Sequence, residues 1–392
     1  LVEACDYTTR RYLFDQFDNT SRLVGLVGPR GVGKTTLLLQ LIKQRLPSDK
    51  PAVYISADHI YFSQNRLFDF AREVYNTRGP FVFFIDEVHK YPDWNQELKN
   101  IYDSFPGIQI IFSGSSSLDL VKGSYVLSRR AVMHSLPGLS FREFLNFRLG
   151  TNLAPVSFAT MLGAPQSCRE AAAIPGILGH FRDYLAQGYY PFSLAPDRHF
   201  YQRLQRVVDK TVYEDIANFY RLKTENLHNF KKLLFFLATI PPGDLNTHSL
   251  AKSLRLDDKT VQHYVQILTE TGLARHLQTA AGGSAILRKP SKLYLDNPTL
   301  HHAICHEIGQ SPPVGTLREL FFLSSLENAG KRPVYSREGG DFRVDESVFE
   351  IGGKSKSGNR IKGLADRTFI VKDDILHASP GVLPLYLFGL LY

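Results

Sequence analysis

Residues Leu23–Thr35, which read LVGLVGPRGVGKT, join a short apolar run to a glycine-rich loop. Residues 28–35 fit the pattern G-x-x-x-x-G-K-[ST], and a helical stretch over 34–45 follows directly. In such a loop the glycines let successive amides turn inward around a phosphate, and the start of the helix adds positive charge. The stretch predicts a phosphate-binding loop between a strand and a helix.

The chemistry of this loop assigns a role to each polar residue. Lys34 is expected to reach the β- and γ-phosphates of a triphosphate, Thr35 to bind Mg²⁺, and Thr36 to bond near the α-phosphate. A glycine-rich turn that matches by chance is the alternative, and the flanking strand and helix argue against it. The predicted cofactor-binding residues are Gly28, Pro29, Arg30, Gly31, Val32, Gly33, Lys34, Thr35 and Thr36.

A second apolar run, over 81–85, ends in the acid pair Asp86 and Glu87. Parallel sheets bind ligands at the carboxyl ends of their strands, so both acids are expected beside the phosphates. Asp86 is predicted to hold Mg²⁺ and Glu87 to act as the general base that activates water. A pair of surface acids is the alternative. The sequence has no Asn-Lys-x-Asp motif for guanine, which favours ATP over GTP.

Two further segments are candidates for completing this site. The serine-rich stretch after the run 108–112 offers Ser113 or Ser115 to orient the attacking water, although a simple serine-rich turn explains it equally well. Arg129 and Arg130 precede a strand-like stretch. One of them, from this subunit or a neighbour, is a candidate to stabilise the charge of the transition state, and a solvated basic pair is the alternative.

Short apolar runs alternate with helical stretches up to about residue 150, which predicts an α/β fold with a parallel sheet. The predicted architecture is a P-loop NTPase sheet with a helical lid, a winged-helix domain and a C-terminal restriction-endonuclease-like α/β domain. The predicted boundaries are 1–148 for the ATPase core, 149–196 for the lid or linker, 197–300 for the helical and winged-helix part, and 310–392 for the last domain.

The winged-helix prediction is based on two short helices, 249–254 and 260–268, followed by a strand and a Gly-Gly hairpin tip at 282–283. If this part reads double-stranded DNA, the second helix would enter the groove and the returning wing strand would meet phosphate. A protein-docking role is the alternative. The candidate DNA-facing residues are Lys259, Gln262, His263 and Gln266 on the helix, and Arg288 and Lys289 in the wing, with Lys292 further along the return strand.

The C-terminal part carries acids in an arrangement similar to the metal-dependent restriction endonucleases. Glu319 lies on a predicted helix, Asp341 and Glu350 lie on or beside predicted strands, and Lys354 follows. Two carboxylates of that kind bind Mg²⁺ and a lysine steadies the attacking hydroxide. The usual lysine position, two residues after the second acid, is glycine here. We therefore expect a degenerate scaffold that does not cut, with an active site at Glu319, Asp341, Glu350 and Lys354 as the alternative.

Bulk properties set broader limits. The 392 residues carry a net charge of +8, which is compatible with a nucleic-acid partner without requiring one. The three cysteines have no CxxC spacing, and together with the absence of a leader-like start they favour a cytoplasmic protein. The apolar tail 381–392 is too short to span a bilayer and is predicted to be a buried strand.

Four segments in order, GPRGVGKT, FIDEVH, FSGSSS and LPGLSFREF, resemble the prokaryotic AAA_14 ATPases, which are archaeal-ATPase-like AAA+ proteins with a DUF4143 C-terminal domain. The resemblance implies ATP as the ligand and a cytoplasmic setting. It also implies that residues 140–144 mark the exit from the ATPase core to the lid, and that Arg130 rather than Arg129 is the arginine of the site.

These observations predict an ATP- and Mg²⁺-binding ATPase that acts as a nucleotide-driven switch, with DNA as a candidate target. Two alternatives stay open, an ATP-regulated Mg²⁺-dependent nuclease and an ATP-holding module that docks an unknown protein with little turnover. No membrane partner is expected, and a homo-oligomer is compatible with the arginine pair.

Overall fold

The computed structural model describes the chain except for residues 1–2, 4–7, 48, 115–126, 128, 196, 243–246, 280–291, 337–338, 362 and 365–366. Contacts between residues divide it into two compact units, Leu1–Gly138 and Leu139–Tyr392.

The first unit is built on a five-stranded, all-parallel sheet with the strand order β2-β3-β4-β1-β5. The strand β3 reads VFFID and is buried along its whole length, as expected for a strand that is covered on both faces. The strands are β1 (Leu23–Val27), β2 (Ala52–Ser56), β3 (Val82–Asp86), β4 (Gln109–Gly114) and β5 (Val132–Ser135).

Helices connect these strands and cover both faces of the sheet with separate apolar clusters. Their bounds are α1 (Leu13–Gln16), α2 (Lys34–Gln44), α3 (Leu67–Arg78) and α4 (Trp94–Ser104). The apolar runs 81–85 and 108–112 and the helical stretch 34–45 correspond to β3, β4 and α2, with ends that differ from the prediction by at most two residues. Element ends are the least determined part of an apolar pattern, because terminal residues are held by caps rather than by burial.

The second unit begins with short helices whose apolar faces join the core of the C-terminal part. Phe181 packs edge-to-face on Phe321 with ring centroids 4.7 Å apart. The predicted lid, 149–196, and the predicted last domain, 310–392, therefore share one hydrophobic core. The helices are α5 (Phe141–Leu149), α6 (Phe158–Gly163), α7 (Arg169–Ala172) and α8 (Ile177–Asp183), and the last continues as a π-helical turn through Gly188.

A second core in this unit gathers apolar residues between 208 and 305. It is formed by helices α9 (Phe200–Lys210), α10 (Ala217–Tyr220), α11 (Thr224–Thr239), α12 (Thr247–Leu254), α13 (Asp258–Glu270) and α14 (Pro298–Glu307), with the antiparallel strands β6 (Ala274–Leu277) and β7 (Lys292–Leu295). Apolar residues at helical spacing in α12 and α13 form part of this core: Leu250, Ala251, Val261, Val265 and Leu268 are buried, and Leu254 is partly buried. The predicted hairpin tip at 282–283, with Arg288 and Lys289, lies outside the described residues.

The C-terminal part holds a five-stranded mixed sheet with the order β12-β11-β10-β9-β8, beside helix α15 (Val314–Asn328). Strand β9 (Phe342–Val344) is antiparallel to β8 (Val334–Tyr335) and β10 (Ser347–Gly352), whereas β11 (Arg367–Lys372) is parallel to β10 and β12.

The apolar tail differs from the predicted strand. Only β12 (Val382–Pro384) is extended, and Leu385–Leu390 forms a 3₁₀ helix whose residues are all buried. Pro384 cannot donate to a strand ladder, and Gly389 lets the turn approach Phe141 and Phe321 closely. The sequence did not predict the helical turn, because a short run of apolar residues has no periodicity that distinguishes a strand from a helix.

Candidate nucleotide-binding site

The loop between β1 and α2 has the backbone conformation that its glycines allow. Gly31 and Gly33 have φ values of 81° and 95°, in the left-handed region that side chains disfavour. At Gly28 a side chain would collide with the main-chain carbonyl of Leu136, so this position must also be glycine. Successive amides of such a loop can face one anion.

Lys34 lies at the first turn of α2 with its side chain buried. Its Nζ donates to the main-chain oxygens of Gly28 and Pro29, each at 2.9 Å. The ammonium group of Lys34 therefore lies inside the loop, where it was predicted to contact the phosphates.

The loop and the acid pair come together at one edge of the sheet. Thr35 Oγ1 donates to Asp86 Oδ2 at 2.7 Å, and the same oxygen accepts from the hydroxyl of Tyr54 at 3.0 Å. Burial first, and then the charge of Asp86, raise the pKa of Tyr54 well above its ordinary value. Oxygen donors of this kind suit a hard cation, so Thr35 and Asp86 fit the predicted Mg²⁺.

The other oxygen of Asp86 is held by the end of β4. Ser113 is fully buried, and its hydroxyl bonds to Asp86 Oδ1. The amide of Glu87 donates to Asp86 Oδ1 at 3.1 Å and to Ser113 Oγ at 3.2 Å. The structure thus places Ser113 as a support for both acids. Ser115 lies outside the described residues.

Glu87 follows β3 with a left-handed φ of 52°. Its Oε2 lies 3.5 Å from Nε2 of His89, a side chain that is 4% exposed, while Glu87 itself is 22% exposed. The turn after β3 therefore directs Glu87 partly toward solvent and places an imidazole behind it. Sequence reasoning gave His89 and Tyr54 no role, because Tyr54 lies outside both motifs and the contact of His89, the last residue of FIDEVH, with Glu87 depends on the turn after β3.

Arg130 lies elsewhere in the first unit. Its guanidinium pairs with Asp103 near the end of α4, with Nε 3.1 Å from Oδ1, and lies over the ring of Tyr102. The end of α4 leads into the start of β4, at the amino-terminal end of the parallel strands, whereas the phosphate loop follows the carboxyl end of β1. The prediction that Arg130 completes the site of its own chain is therefore not supported by its position. Arg129 is exposed.

Arg11 is a further residue that the sequence motifs did not reveal. Its guanidinium is 6% exposed and donates to Val32 of the loop at 2.6 Å. It also donates to Pro137 and Gly138 at 2.8 and 3.0 Å. Nearby, Gln40 of α2 donates to the main-chain oxygen of Thr9 at 2.7 Å. The segment before α1 therefore fastens the phosphate loop to the chain that follows β5.

The second set of predicted site residues is only partly assembled. Glu319 accepts from Lys292 and from Tyr294, at 3.1 and 2.7 Å. Asp341 accepts from Arg360 at 2.7 Å. Burial, followed by the charges of Glu319 and then Asp341, raises the pKa of Tyr294 well above its ordinary value, so both acids lie near that ring.

Lys354 is exposed, and the cation on Glu350 is instead Lys356, whose Nζ lies 3.0 Å from Oε1. The assignment of Lys354 is therefore corrected, because the chain turns between Gly353 and Lys356 and brings the later lysine back. Within the part of the chain that the structure describes, no three His, Cys, Asp or Glu side chains group to hold a metal ion.

The candidate DNA-facing residues of α13 all lie on its exposed side: Lys259, Gln262, His263 and Gln266. Lys292, by contrast, is buried in β7 and pairs with Glu319, so it does not belong to a phosphate-binding wing. Among the described residues, no helix has the length and apolar character needed to cross a membrane.

Comparison with known proteins gives a relative along most of the chain. An uncharacterized protein of Methanocaldococcus jannaschii, MJ1637, is 26% identical over 407 residues, which cover 94% of this chain and 85% of that protein. Residues 178–311 match a domain of unknown function, DUF8612. The DUF4143 domain implied by the resemblance remains a prediction.

Among solved structures, the chain is similar to AMPPCP-bound DnaA from Aquifex aeolicus, with 16% identity, a TM-score of 0.25, and coverage of 66% of this chain and 85% of that one. It is also similar to C. elegans PCH-2, with 20% identity, a TM-score of 0.26, and 64% of each chain covered.

The family model AAA_14, described as an AAA domain, matches residues 20–145. This range contains the loop, the acid pair and all five strands of the parallel sheet. Residues 20–145, which make up most of the first unit, are accordingly similar to an AAA domain.

Proposed function

We propose that the chain binds ATP with Mg²⁺ and hydrolyses it at the edge formed by the phosphate loop, Asp86 and Glu87. The observation that carries the proposal is the 2.7 Å hydrogen bond between Thr35 and Asp86, which joins the two motifs at one place. A fold of this type with the motifs apart would have no common site for a phosphate and its cation.

In the proposed reaction each residue has a separate task. Lys34 exchanges the carbonyls of its own loop for phosphate oxygens, and the loop amides hold the remaining phosphate charge. Thr35 and Asp86 would hold Mg²⁺, which supplies charge neutralisation on the phosphates when it is bound. Glu87 takes a proton from the attacking water, with His89 beside its carboxylate and Ser113 holding its amide.

Two substitutions test this proposal. Lys34→Ala should abolish ATP binding, because it removes the cation from the phosphate contacts. Glu87→Gln should keep binding and stop turnover, because the amide cannot accept the proton, with a loss of at least about 100-fold. ATP binding is measured by calorimetry and phosphate release by a steady-state assay. Phosphate release that continues in Glu87→Gln would refute the role of Glu87.

As the target of the nucleotide switch we propose double-stranded DNA. The support is the exposed polar face of α13. In a winged-helix domain this second helix would enter the DNA groove. A protein partner is the alternative. Lys259→Ala should weaken binding of a fluorescent duplex and reduce its salt dependence, whereas Lys252→Ala on α12 serves as a control. Equal affinity of both variants and the parent would remove DNA as the target.

We also propose that the protein acts in the cytoplasm, on the basis that Cys168 and Cys305 are buried free thiols. A homo-oligomer in which Arg130 serves a neighbouring subunit is a further prediction, and Asp103 would have to release the guanidinium for it.

A further inference from the structure

A cavity of about 460 Å³ opens on the second unit beside the C-terminal sheet. Its floor is apolar and belongs to the hydrophobic core of this part of the chain. Phe369 of β11, Leu383 of β12 and Tyr386 of the following 3₁₀ helix form this floor, and all three are buried. Cavities of this volume with an apolar floor are typical of small-molecule sites in proteins.

One wall of the cavity is a tight turn that main-chain hydrogen bonds hold in place. The amide of Val382 donates to the oxygen of Ser379 at 2.8 Å, and the amide of Ser379 donates back at 3.0 Å. Gly381 supplies the left-handed φ of 71° within the turn. The hydroxyl of Tyr386 holds the preceding segment by donating to the main-chain oxygen of Leu376 at 2.8 Å. The turn is therefore fixed to the floor of the cavity.

The other wall consists of a 3₁₀ turn over Pro165–Cys168, which leads directly into helix α7. Cys168 and Ala172 line the cavity from this side, together with Leu162 of α6. Cys168 is buried in the same hydrophobic core as the floor, and Leu162 packs against that core. Both walls therefore extend the apolar surface of the floor toward the mouth of the cavity.

The polar side chains that line the cavity include a cation and no acid. Arg169 and His377 line it and are exposed, as are Gln166 and Ser379. Among the residues that the structure describes, no Asp or Glu lines the cavity, and the guanidinium of Arg169 pairs with no carboxylate. A guanidinium presents two parallel N–H donors that match the two oxygens of a carboxylate. The charge and shape of the cavity therefore suit a ligand with an anionic head and an apolar body.

We propose that this cavity binds a small organic carboxylate, whose apolar body covers Phe369, Leu383 and Tyr386 and whose carboxylate pairs with Arg169. A neutral apolar ligand would leave the guanidinium without a partner, and an inorganic anion would leave the apolar floor uncovered. The carboxylate combines both contacts in one molecule, as small-molecule sites usually do. The proposal concerns residues of the second unit alone and is independent of the proposed ATPase.

The test measures the binding of three carboxylates to the full chain by isothermal titration calorimetry, without nucleotide. The probes are octanoate, 4-phenylbutyrate and indole-3-propionate, which share the head group and differ in the apolar body. We expect at least one of them to bind with a dissociation constant of about 1 mM or tighter. The amide of that acid, which has the same body without the charge, should bind at least about tenfold more weakly, because it loses the charge-assisted bonds.

Two substitutions locate the bound carboxylate. Arg169→Gln should weaken its binding at least about tenfold, because the variant lacks the cation. Arg332→Gln is the matched control, since Arg332 is an exposed arginine of the same unit that does not line the cavity, and it should change affinity by less than about twofold. Ala172→Trp places an indole in the cavity and should abolish binding. Should Ala172→Trp unfold, as its melting temperature would show, Ala172→Leu fills less space and should still weaken binding.

Four results would overturn the proposal. Failure of all three carboxylates to bind removes this class of ligand. Equal affinity for an acid and its amide shows that the cavity does not select an anion. Equal effects of Arg169→Gln and Arg332→Gln show that Arg169 has no special part in binding. Undiminished binding by folded Ala172 variants places the ligand outside the cavity.

Discussion

Arg11 fastens the phosphate loop from outside its motif. One guanidinium bonds to Val32 in the loop and to two carbonyls that follow β5, and it is almost wholly buried. Such a fork holds two chain segments in a fixed relation that a lysine could not reproduce, since an ammonium lacks the planar geometry.

Replacing Arg11 should therefore weaken the nucleotide site without touching a phosphate-binding residue. We expect Arg11→Ala to reduce ATP affinity at least tenfold, equivalent to about 1.4 kcal/mol. Arg10→Ala is the matched control, because Arg10 lies over the ring of Phe14 and should change affinity by less than about twofold. Calorimetric titration of both variants decides the matter, and equal affinities would show that the loop needs no such anchor.

Tyr54 supplies the second donor to Asp86 Oδ2. Tyr54→Phe should lower the free energy of unfolding by about 1–2 kcal/mol in the absence of nucleotide, because a buried carboxylate loses a hydrogen bond. Tyr12→Phe removes a longer bond, 3.4 Å to Ser135, in the same apolar cluster and should cost less. Urea unfolding compares the two, and an equal cost would show that Asp86 gains nothing from Tyr54.

Among the elements, the parallel sheet followed most directly from the sequence. Apolar runs such as 81–85 are explained only by burial on both faces, and their spacing left little freedom in the topology. The main residues of the candidate site could be predicted equally well from the sequence, because Lys34, Thr35, Asp86 and Glu87 belong to motifs with fixed positions at strand ends. The roles of Arg11, Tyr54 and His89 could not, since they depend on tertiary contacts.

The lysine of the C-terminal sheet shows a different limit of sequence reasoning. A two-residue spacing predicts which side chains share a face only while the strand continues. Strand β10 ends at Gly352, and the turn that follows carries Lys356 back over it. Only the path of that turn distinguishes Lys356 from Lys354.

Helix α14 contributes a pH dependence through His301, which is fully buried against α11. Its Nε2 bonds to the main-chain oxygen of Ala238 at 3.0 Å, and its Nδ1 has no partner among the described residues. Burial lowers the pKa of His301 from 6.5 to about 4. The unfolded chain therefore binds a proton more readily, and the stability present above pH 6.5 is lost as the pH falls toward 4.

We expect His301→Gln to remove this dependence. Between pH 7.5 and pH 5, the wild-type free energy of unfolding should fall by about 2 kcal/mol more than that of the variant. Urea unfolding at the two pH values provides the measurement, and other titrating groups cancel in the difference. Parallel losses in the two proteins would show that His301 accepts its proton without cost.

At the scale of the whole molecule, the two units have separate apolar cores, and the motifs for ATP lie entirely in the first. A ligand that binds only the folded state stabilises it by about 2.7 kcal/mol at 100 times its dissociation constant. The ATPase assignment therefore predicts a thermal signature that does not require turnover.

Mg²⁺ and ATP together should raise the melting temperature of the first unit by roughly 5–10 °C. Glu87→Gln should retain the shift, because it binds without consuming ATP, and Lys34→Ala should lose it. Scanning calorimetry with ATP, and with Mg²⁺ alone as the control, measures the effect. A shift of equal size in Lys34→Ala would place the stabilising ATP outside the phosphate loop.

The contacts made by Thr9 and Arg11 also guide the choice of shortened proteins for crystallisation or spectroscopy. A truncation that begins at α1 would keep every residue of the recognised motifs. It would still delete two contacts, the one between Arg11 and Val32 of the loop and the one between Thr9 and Gln40. Such a fragment should express as a folded sheet and yet give misleadingly poor ligand affinity. Starting the fragment at or before Thr8 avoids that error.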